Sequence, residues 1–246
     1  MLPIRDHNPT LRQPIVTWGL IAANLAIWFL VQGMGSEPGL SRSVCELGLI
    51  PGEFLQRLPA GSQLEMGPDS GCLVGGSWPW YAPVSSMFLH GGWLHVLGNM
   101  WFLHIFGNNV EDSMGRARFL LFYLLSGLAA AAAQVFSSPN SAIPMVGASG
   151  AIGGVMGGYI LLYPKARVDT FVFLGFYARM IALPASVMLG YWFLLQLLGG
   201  AFGPAEGGGV AFWAHVGGFG AGFLLTALFR NPDLVAAHRA SRWSDG

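Results

Sequence analysis

The amino-acid sequence predicts an all-α, polytopic membrane protein built as one bundle of six spanning helices. Charge is scarce: 10% of the 246 residues are Asp, Glu, Lys or Arg and 53% are hydrophobic, whereas a soluble domain carries about 25% charged residues to face water. Charge is also missing in blocks, since residues 84–106 and 119–163 contain none of the four. Finally, six segments, 14–31, 84–106, 119–136, 146–163, 180–198 and 210–229, approach the roughly 20 apolar residues that cross hydrocarbon.

Taken in order, residues 1–13 read as a short cytoplasmic lead with little fold of its own. The first span follows Arg5 and Arg12 as a signal sequence would, but residues 32–38 hold no small-x-small cleavage site, so it is expected to be retained. Residues 32–83 form the one long non-spanning segment, rich in glycine and in Pro38, Pro51, Pro59 and Pro68. Its end, Trp78-Pro79-Trp80-Tyr81, suits the headgroup region where Trp and Tyr collect, so the loop is expected on the membrane surface. Cys45 and Cys72 both fall in this loop. An oxidising compartment lets them pair, and two separate loop thiols are the alternative, because sequence separation does not set the geometry of a bridge.

The fifth span is the least sharply bounded. Residues 171–177 are also apolar, and Arg179 and Pro184 interrupt what otherwise reads as one long tilted helix. Residues 199–209, mostly glycine with Pro204 and Glu206, form a candidate lid, since glycine restricts the backbone little. The expected organisation is a tail at 1–13, a membrane domain at 14–229 and a second tail at 230–246.

Lys and Arg gather in cytoplasmic segments. With the N-terminus inside, Arg5, Arg12, Arg116, Arg118, Lys165, Arg167, Arg179, Arg230, Arg239 and Arg242 fall on one side and only Arg42 and Arg57 on the other. Both termini are therefore expected in the cytoplasm. Short tails without a targeting extension point to a bacterial plasma membrane. The lipid bilayer is the expected surroundings and no nucleic-acid partner is expected; the formal net charge of zero by itself says nothing about partners. No internal repeat indicates the inverted halves of a transporter.

Hydrocarbon makes polar side chains expensive, so those inside spans are candidates for function. In the N-inside arrangement the second, fourth and sixth spans run from outside to inside, and each carries its polar residues in its first half. This brings His90, His95, Asn99, Ser149 and His215 to one depth on the outer side. Serine needs a base to take its proton, and histidine titrates near neutrality, which suits Ser149 as nucleophile and His215 as base. The first turn of a helix offers free backbone N–H groups to a developing oxyanion, and Ser149 follows Gly147-Ala148 at such a turn. His95 and Asn99 are four residues apart and project from one helix face, where both can donate to the same oxygen. Glycine at four-residue spacing, Gly150, Gly154 and Gly158 in one span and Ala214, Gly218 and Gly222 in the other, allows the two helices to approach backbone to backbone. No cofactor is expected. No metal is expected either, because no carboxylate or cysteine accompanies these histidines in the spans and the His-Glu-x-x-His pattern is absent.

These residues resemble the rhomboid family of intramembrane proteases over roughly residues 83–229. Gly147-Ala148-Ser149-Gly150 resembles the family's nucleophile motif, Ala214-His215-Val216-Gly217-Gly218 with Gly222 its base motif, and His90-x4-His95-x3-Asn99 its second-helix motif. Residues 107–111 resemble a structural feature of the family. The resemblance implies a six-helix rhomboid-like bundle and a serine endopeptidase using a Ser–His dyad. It also implies substrates that are transmembrane segments of other proteins, cut near their outer ends, with His90, His95, Asn99 and Gly147 around the oxyanion and substrate, and with the fifth helix and the 199–209 loop as gate. Two positions depart: Ser86 stands where some members carry a further histidine, and Gly153 where an aromatic residue often supports the base. Trp213 or another aromatic is expected to take over that support.

Overall fold

The computed structural model describes residues 1–59, 61–67, 70–74, 78–175, 177–203 and 209–244. Six longer helices make its body: α1 (Ile15–Leu30), α5 (Trp93–Met114), α6 (Arg116–Ser137), α7 (Ser149–Leu162), α8 (Ala185–Phe202) and α9 (Phe212–Phe229). Three of them, α6, α8 and α9, are long and apolar enough to cross a membrane by length and composition, while α1 and α7 are shorter apolar helices. Short helices α2 (Gly39–Leu47), α3 (Pro51–Phe54) and α4 (Ala82–Ser85) lie between α1 and α5, and α10 (Pro232–Ser244) follows α9.

The chain is mostly helical but not wholly so, which corrects the all-α expectation. Strands β1 (Leu2–Asp6), β4 (Arg167–Leu174) and β5 (Tyr177–Pro184) form an antiparallel sheet in the order β1-β4-β5. A separate hairpin pairs β2 (Ser62–Gly67) with β3 (Ser70–Val74). Along β4 the buried residues are Val168, Thr170 and Val172, and Phe171 and Phe173 point outward. That is the period of two of a half-covered strand. Gly175, at φ +62°, opens the turn after it, a left-handed conformation that glycine adopts without cost. Residues 180–184, expected as the start of the fifth span, therefore belong to β5, and the helix begins only after Pro184, whose ring fixes φ at −56°.

The N-terminal residues, expected to have little fold, are tied down as β1 and by the end of α5. The Asp112 carboxylate accepts the backbone N–H groups of Leu11 and Arg12 at 2.6 and 3.1 Å, and its Oδ1 lies 3.8 Å from Arg12 Nε. Glu111 accepts Val16 N–H, Thr17 N–H and the Thr17 hydroxyl. The N–H groups of the first turn of α1 have no partner within their own helix, and a carboxylate there is favoured by the helix dipole as well. Gly107 allows this approach: a methyl group at that position would sit 2.9 Å from Thr17 Cγ2.

Helix α7 packs against both α6 and α9, which also pack on each other. Methyl groups added at Gly218 or Gly222 would run into the carbonyls of Gly150 and Gly154, and one at Gly154 would meet Ser126 of α6. The glycine rows of α7 and α9 thus face one another, as their spacing predicts. The described parts of residues 32–83 form a folded cap rather than an open loop. Cys45 and Cys72 form a disulfide, with Cα atoms 5.3 Å apart, which decides the alternative left open by the sequence. The same cap hydrogen-bonds the segment that leads into α7: Leu49 and Met145 exchange N–H···O bonds at 3.0 and 2.8 Å, and Gly52 N–H donates to Ser141 O at 2.9 Å. The candidate lid falls partly on residues 204–208, outside the described residues.

Candidate active site

Helix α7 begins at Ser149, so the serine occupies the first turn, where backbone N–H groups have no helical partner. Gly147, two residues earlier, has φ +129° and donates its N–H to Ser86 O at 2.9 Å. A side chain at Gly147 would be strained by that φ and would also strike His95, whose Nε2 lies 2.7 Å from where a Cβ would stand. Ser149 Oγ lies 3.5 Å from the same point, so hydroxyl and imidazole flank one small space.

The N-terminal turn of α9 brings His215 to this place. Ala214 N–H donates to Gln134 Oε1 of α6 at 3.3 Å, which satisfies one of the free donors of that turn. His215 Nε2 is 2.8 Å from Ser149 Oγ, a hydrogen-bond distance. The other ring nitrogen, Nδ1, is 2.7 Å from Gln196 Oε1 of α8. Trp192, one turn before Gln196, places its ring 5.7 Å from the imidazole and stacks on Phe219 at 6.2 Å.

These contacts answer the question raised by Gly153. A Cβ at that position would already lie 3.2 Å from His215 O and 3.4 Å from Phe219 N, so the backbone of α9 occupies the room an aromatic ring would need. Ring support comes from Trp192 instead, and Trp213 packs against Gly200. Gln196 was missed by sequence reasoning, although it is a polar residue inside an expected span and the rule applied to the histidines would have selected it.

A cavity of about 1040 Å³ opens here, and His95, Asn99, Gly147, Ser149 and His215 all line it. The Asn99 Nδ2 amide is buried and has no hydrogen-bond partner among the described residues. His95 Nδ1 accepts Gly91 N–H at 3.4 Å, which leaves Nε2 as its N–H donor on the side of Gly147. His90 differs from expectation. It is fully buried and does not line the cavity; its backbone is clamped by Gln32 through bonds of 2.8 Å in both directions, and its ring meets His95 edge-on at 5.1 Å. Its place is behind His95, as packing. His104 is exposed, and His7 and His238 bond Asp169 and Pro9 O away from the cavity. Among the described residues no group of three His, Cys, Asp or Glu could hold a metal ion.

Apolar helices enclosing a hydroxyl–imidazole pair define the class: this is an integral membrane protein with a candidate hydrolytic site. The Rhomboid domain matches residues 77–232, more than half of the chain, and the chain belongs to the rhomboid family. Rhomboid-like protein 11, chloroplastic, of Arabidopsis thaliana is 40% identical over 76 residues, 31% of this chain and 27% of the relative. The putative rhomboid protease YdcA of Bacillus subtilis is 35% identical over 83 residues, 34% of this chain and 41% of the relative. Rhomboid protease GluP of the same organism is 31% identical over 157 residues, 64% of this chain and 27% of the relative. The chain thus spans well under two thirds of the length of these relatives.

Proposed function

We propose that the chain is an intramembrane serine endopeptidase that cuts peptide bonds in or near transmembrane segments of other membrane proteins with a Ser149–His215 dyad. The observation that carries this reading is the 2.8 Å contact between Ser149 Oγ and His215 Nε2 at the wall of a cavity within apolar helices. The names of the relatives, two of which are rhomboid proteases, agree with it.

In this mechanism Ser149 Oγ bonds to the carbonyl carbon of the substrate peptide while its proton passes to His215 Nε2. The carbonyl electron pair moves onto oxygen. That oxyanion is held by Asn99 Nδ2, His95 Nε2 and backbone N–H of the first turn of α7, donors already in position before charge develops. Collapse re-forms the carbonyl and breaks the C–N bond, and His215 returns the proton to the leaving nitrogen. Water then repeats the sequence on the acyl-serine. Gly147 leaves room beside His95 for the oxygen, and His90 backs the His95 ring.

All six longer helices cross the bilayer in this reading, with both termini in the cytoplasm. Packing at one end of the bundle supports the common side: Asn231 N–H, just after α9, donates to Ser113 O of α5, and His238 Nε2 lies 2.8 Å from Pro9 O. Helix α8, with few buried residues, and the loop after it form the gate through which a substrate helix reaches the cavity.

The test is labelling of the detergent-solubilised chain by a fluorophosphonate probe, which reacts with activated serines. The intact protein is expected to label, and Ser149→Ala and His215→Ala to lose labelling by at least about a hundredfold. Equal behaviour of all three would leave the chain a membrane-segment binder without hydrolytic activity.

A further inference from the structure

We propose that Gln196 is a positioning residue that fixes the tautomer of His215, an inference that rests on the dyad reading above. To accept the Ser149 proton, Nε2 must present a lone pair, so the ring hydrogen must sit on Nδ1. Which of its two neutral forms a histidine takes in a protein is set by the hydrogen bond that each ring nitrogen makes. The structure supplies the choice through a chain of contacts that begins in the backbone of α8.

Gln196 Nε2 donates to the Trp192 carbonyl, four residues earlier in the same helix, at 3.3 Å. A carbonyl only accepts, so the amide nitrogen must lie on that side and the amide oxygen on the other. Oε1 therefore faces His215 Nδ1 at 2.7 Å. An amide oxygen also only accepts, which places the hydrogen on Nδ1 and leaves Nε2 free to take the serine proton at 2.8 Å. Gln196 is 8% exposed, and the Trp192 ring covers the imidazole beside it, so water has little room to compete for Nδ1.

Serine hydrolases that use a carboxylate at this place hold the same tautomer with a charged acceptor. Among the described residues no carboxylate hydrogen-bonds to His215, and a neutral amide does the orienting without burying an ion in a low-dielectric setting. The amide comes from α8, the helix assigned above to the gate. The orientation of the base therefore requires α8 to be packed in place, and moving that helix outward removes the acceptor from Nδ1.

The experiment compares the full-length chain with Gln196→Met and Gln196→Glu, reading the limiting rate of fluorophosphonate labelling and the probe concentration at half that rate. Methionine keeps the length of the side chain but has no acceptor of comparable strength; glutamate restores the acceptor but cannot donate to the Trp192 carbonyl. The expected result is a limiting rate about thirtyfold lower for Gln196→Met at an unchanged half-saturating concentration, and recovery to within about fivefold of the parent for Gln196→Glu. A purely structural role for the Gln196–Trp192 bond predicts the opposite order, since glutamate would lose that bond and bury a charge.

Wild-type labelling by Gln196→Met, or a slower Gln196→Glu than Gln196→Met, overturns the inference. Nitrogen NMR of ¹⁵N-histidine-labelled parent protein reads the tautomer without any variant at Gln196: hydrogen on Nδ1 of neutral His215 is expected, and hydrogen on Nε2 overturns it. Failure of the parent protein itself to label would instead remove the dyad reading, so the two are separable.

Discussion

Helices α7 and α8 each hold one end of the Ser149–His215–Gln196 chain, and they are packed in opposite ways. Every residue of α7 from Gly150 to Tyr159 is buried. Helix α8 buries only Ala185, Met188, Leu189 and Gln196 and turns Val187, Tyr191, Leu194, Leu195, Leu198 and Phe202 outward. The difference lies in what each helix was given to pack with. Glycines let α7 meet backbone directly, so its position is set by atoms that cannot rotate away. Six of the large side chains of α8 point away from the bundle, only Trp192 and Phe193 pack on Phe219 of α9, and Gln196 is the one polar side chain it buries. On the proposed reading, the nucleophile is thus mounted on the most deeply buried element and the support of its base on one of the least buried.

Three substitutions test this contrast. Gly218→Leu is expected to have the largest effect, because a side chain there runs into the Gly150 carbonyl. Overpacking of a close-packed interior costs about 1–3 kcal/mol and more where the neighbours cannot shift. A loss of about 3 kcal/mol or more is expected in detergent unfolding, together with loss of probe labelling; a variant as stable as its parent would show that α7 and α9 are not held backbone to backbone.

A smaller effect is expected at the sheet, which connects the end of α7 to the start of α8. Tyr159 donates its hydroxyl to Asp6 Oδ2 at 2.7 Å, and burial pushes the Asp6 carboxyl up from 3.8 to about 6 despite that bond. The folded form therefore holds a proton that the unfolded chain has released. The contribution of Asp6 to stability is fully present below pH 3.8 and is lost as pH rises through about 6. Asp6→Asn should remove this dependence, so that the variant gains about 2 kcal/mol relative to its parent between pH 4 and pH 7. A constant difference across that range would show that the carboxyl is ionised throughout in the folded chain. Asp169, at the neighbouring strand, has the opposite sign: the hydrogen bond from His7, with Arg5 beside it, lowers its pKa.

The smallest effect is expected on the outer face of α8. Leu194→Ala should change unfolding in detergent by less than about 0.5 kcal/mol, as for exposed positions elsewhere. A loss of about 2 kcal/mol or more, the range of a buried leucine, would mean that α8 is packed as firmly as α7.

Much of the site was legible in the sequence because hydrocarbon makes the signal clean. Ser149, His215, His95 and Asn99 stand out against apolar neighbours, and helix counting puts them at one level. The glycine rows of α7 and α9 were legible for the same reason, since their spacing is local. The sheet was not. Residues 171–174 are apolar whether they form a strand or a helix, and the β1 partner of β4 lies more than 150 positions earlier, beyond any local pattern. Gln196 met the same rule that selected the amide of Asn99, but it lies on α8, away from the three helices that carry the other polar residues, and its role is visible only once Trp192 and His215 are seen on either side of it. His90 shows the converse: its residue type and spacing suit chemistry, yet Gln32 turns it into the packing behind His95.

With 14 residues at 1.5 Å each, α7 is about 21 Å long, some 10 Å less than the hydrocarbon thickness of a typical bilayer. The chain that completes the distance, residues 138–148, is not helical and needs partners for its backbone, which the disulfide-closed cap supplies through Leu49 and Gly52. If α7 crosses the bilayer as proposed, the molecule would carry a walled basin whose floor is Ser149, roughly a third of the way down. Water would collect in such a basin from the aqueous side, and the proposed hydrolysis of a bond buried in lipid would then need no water molecule to travel through lipid.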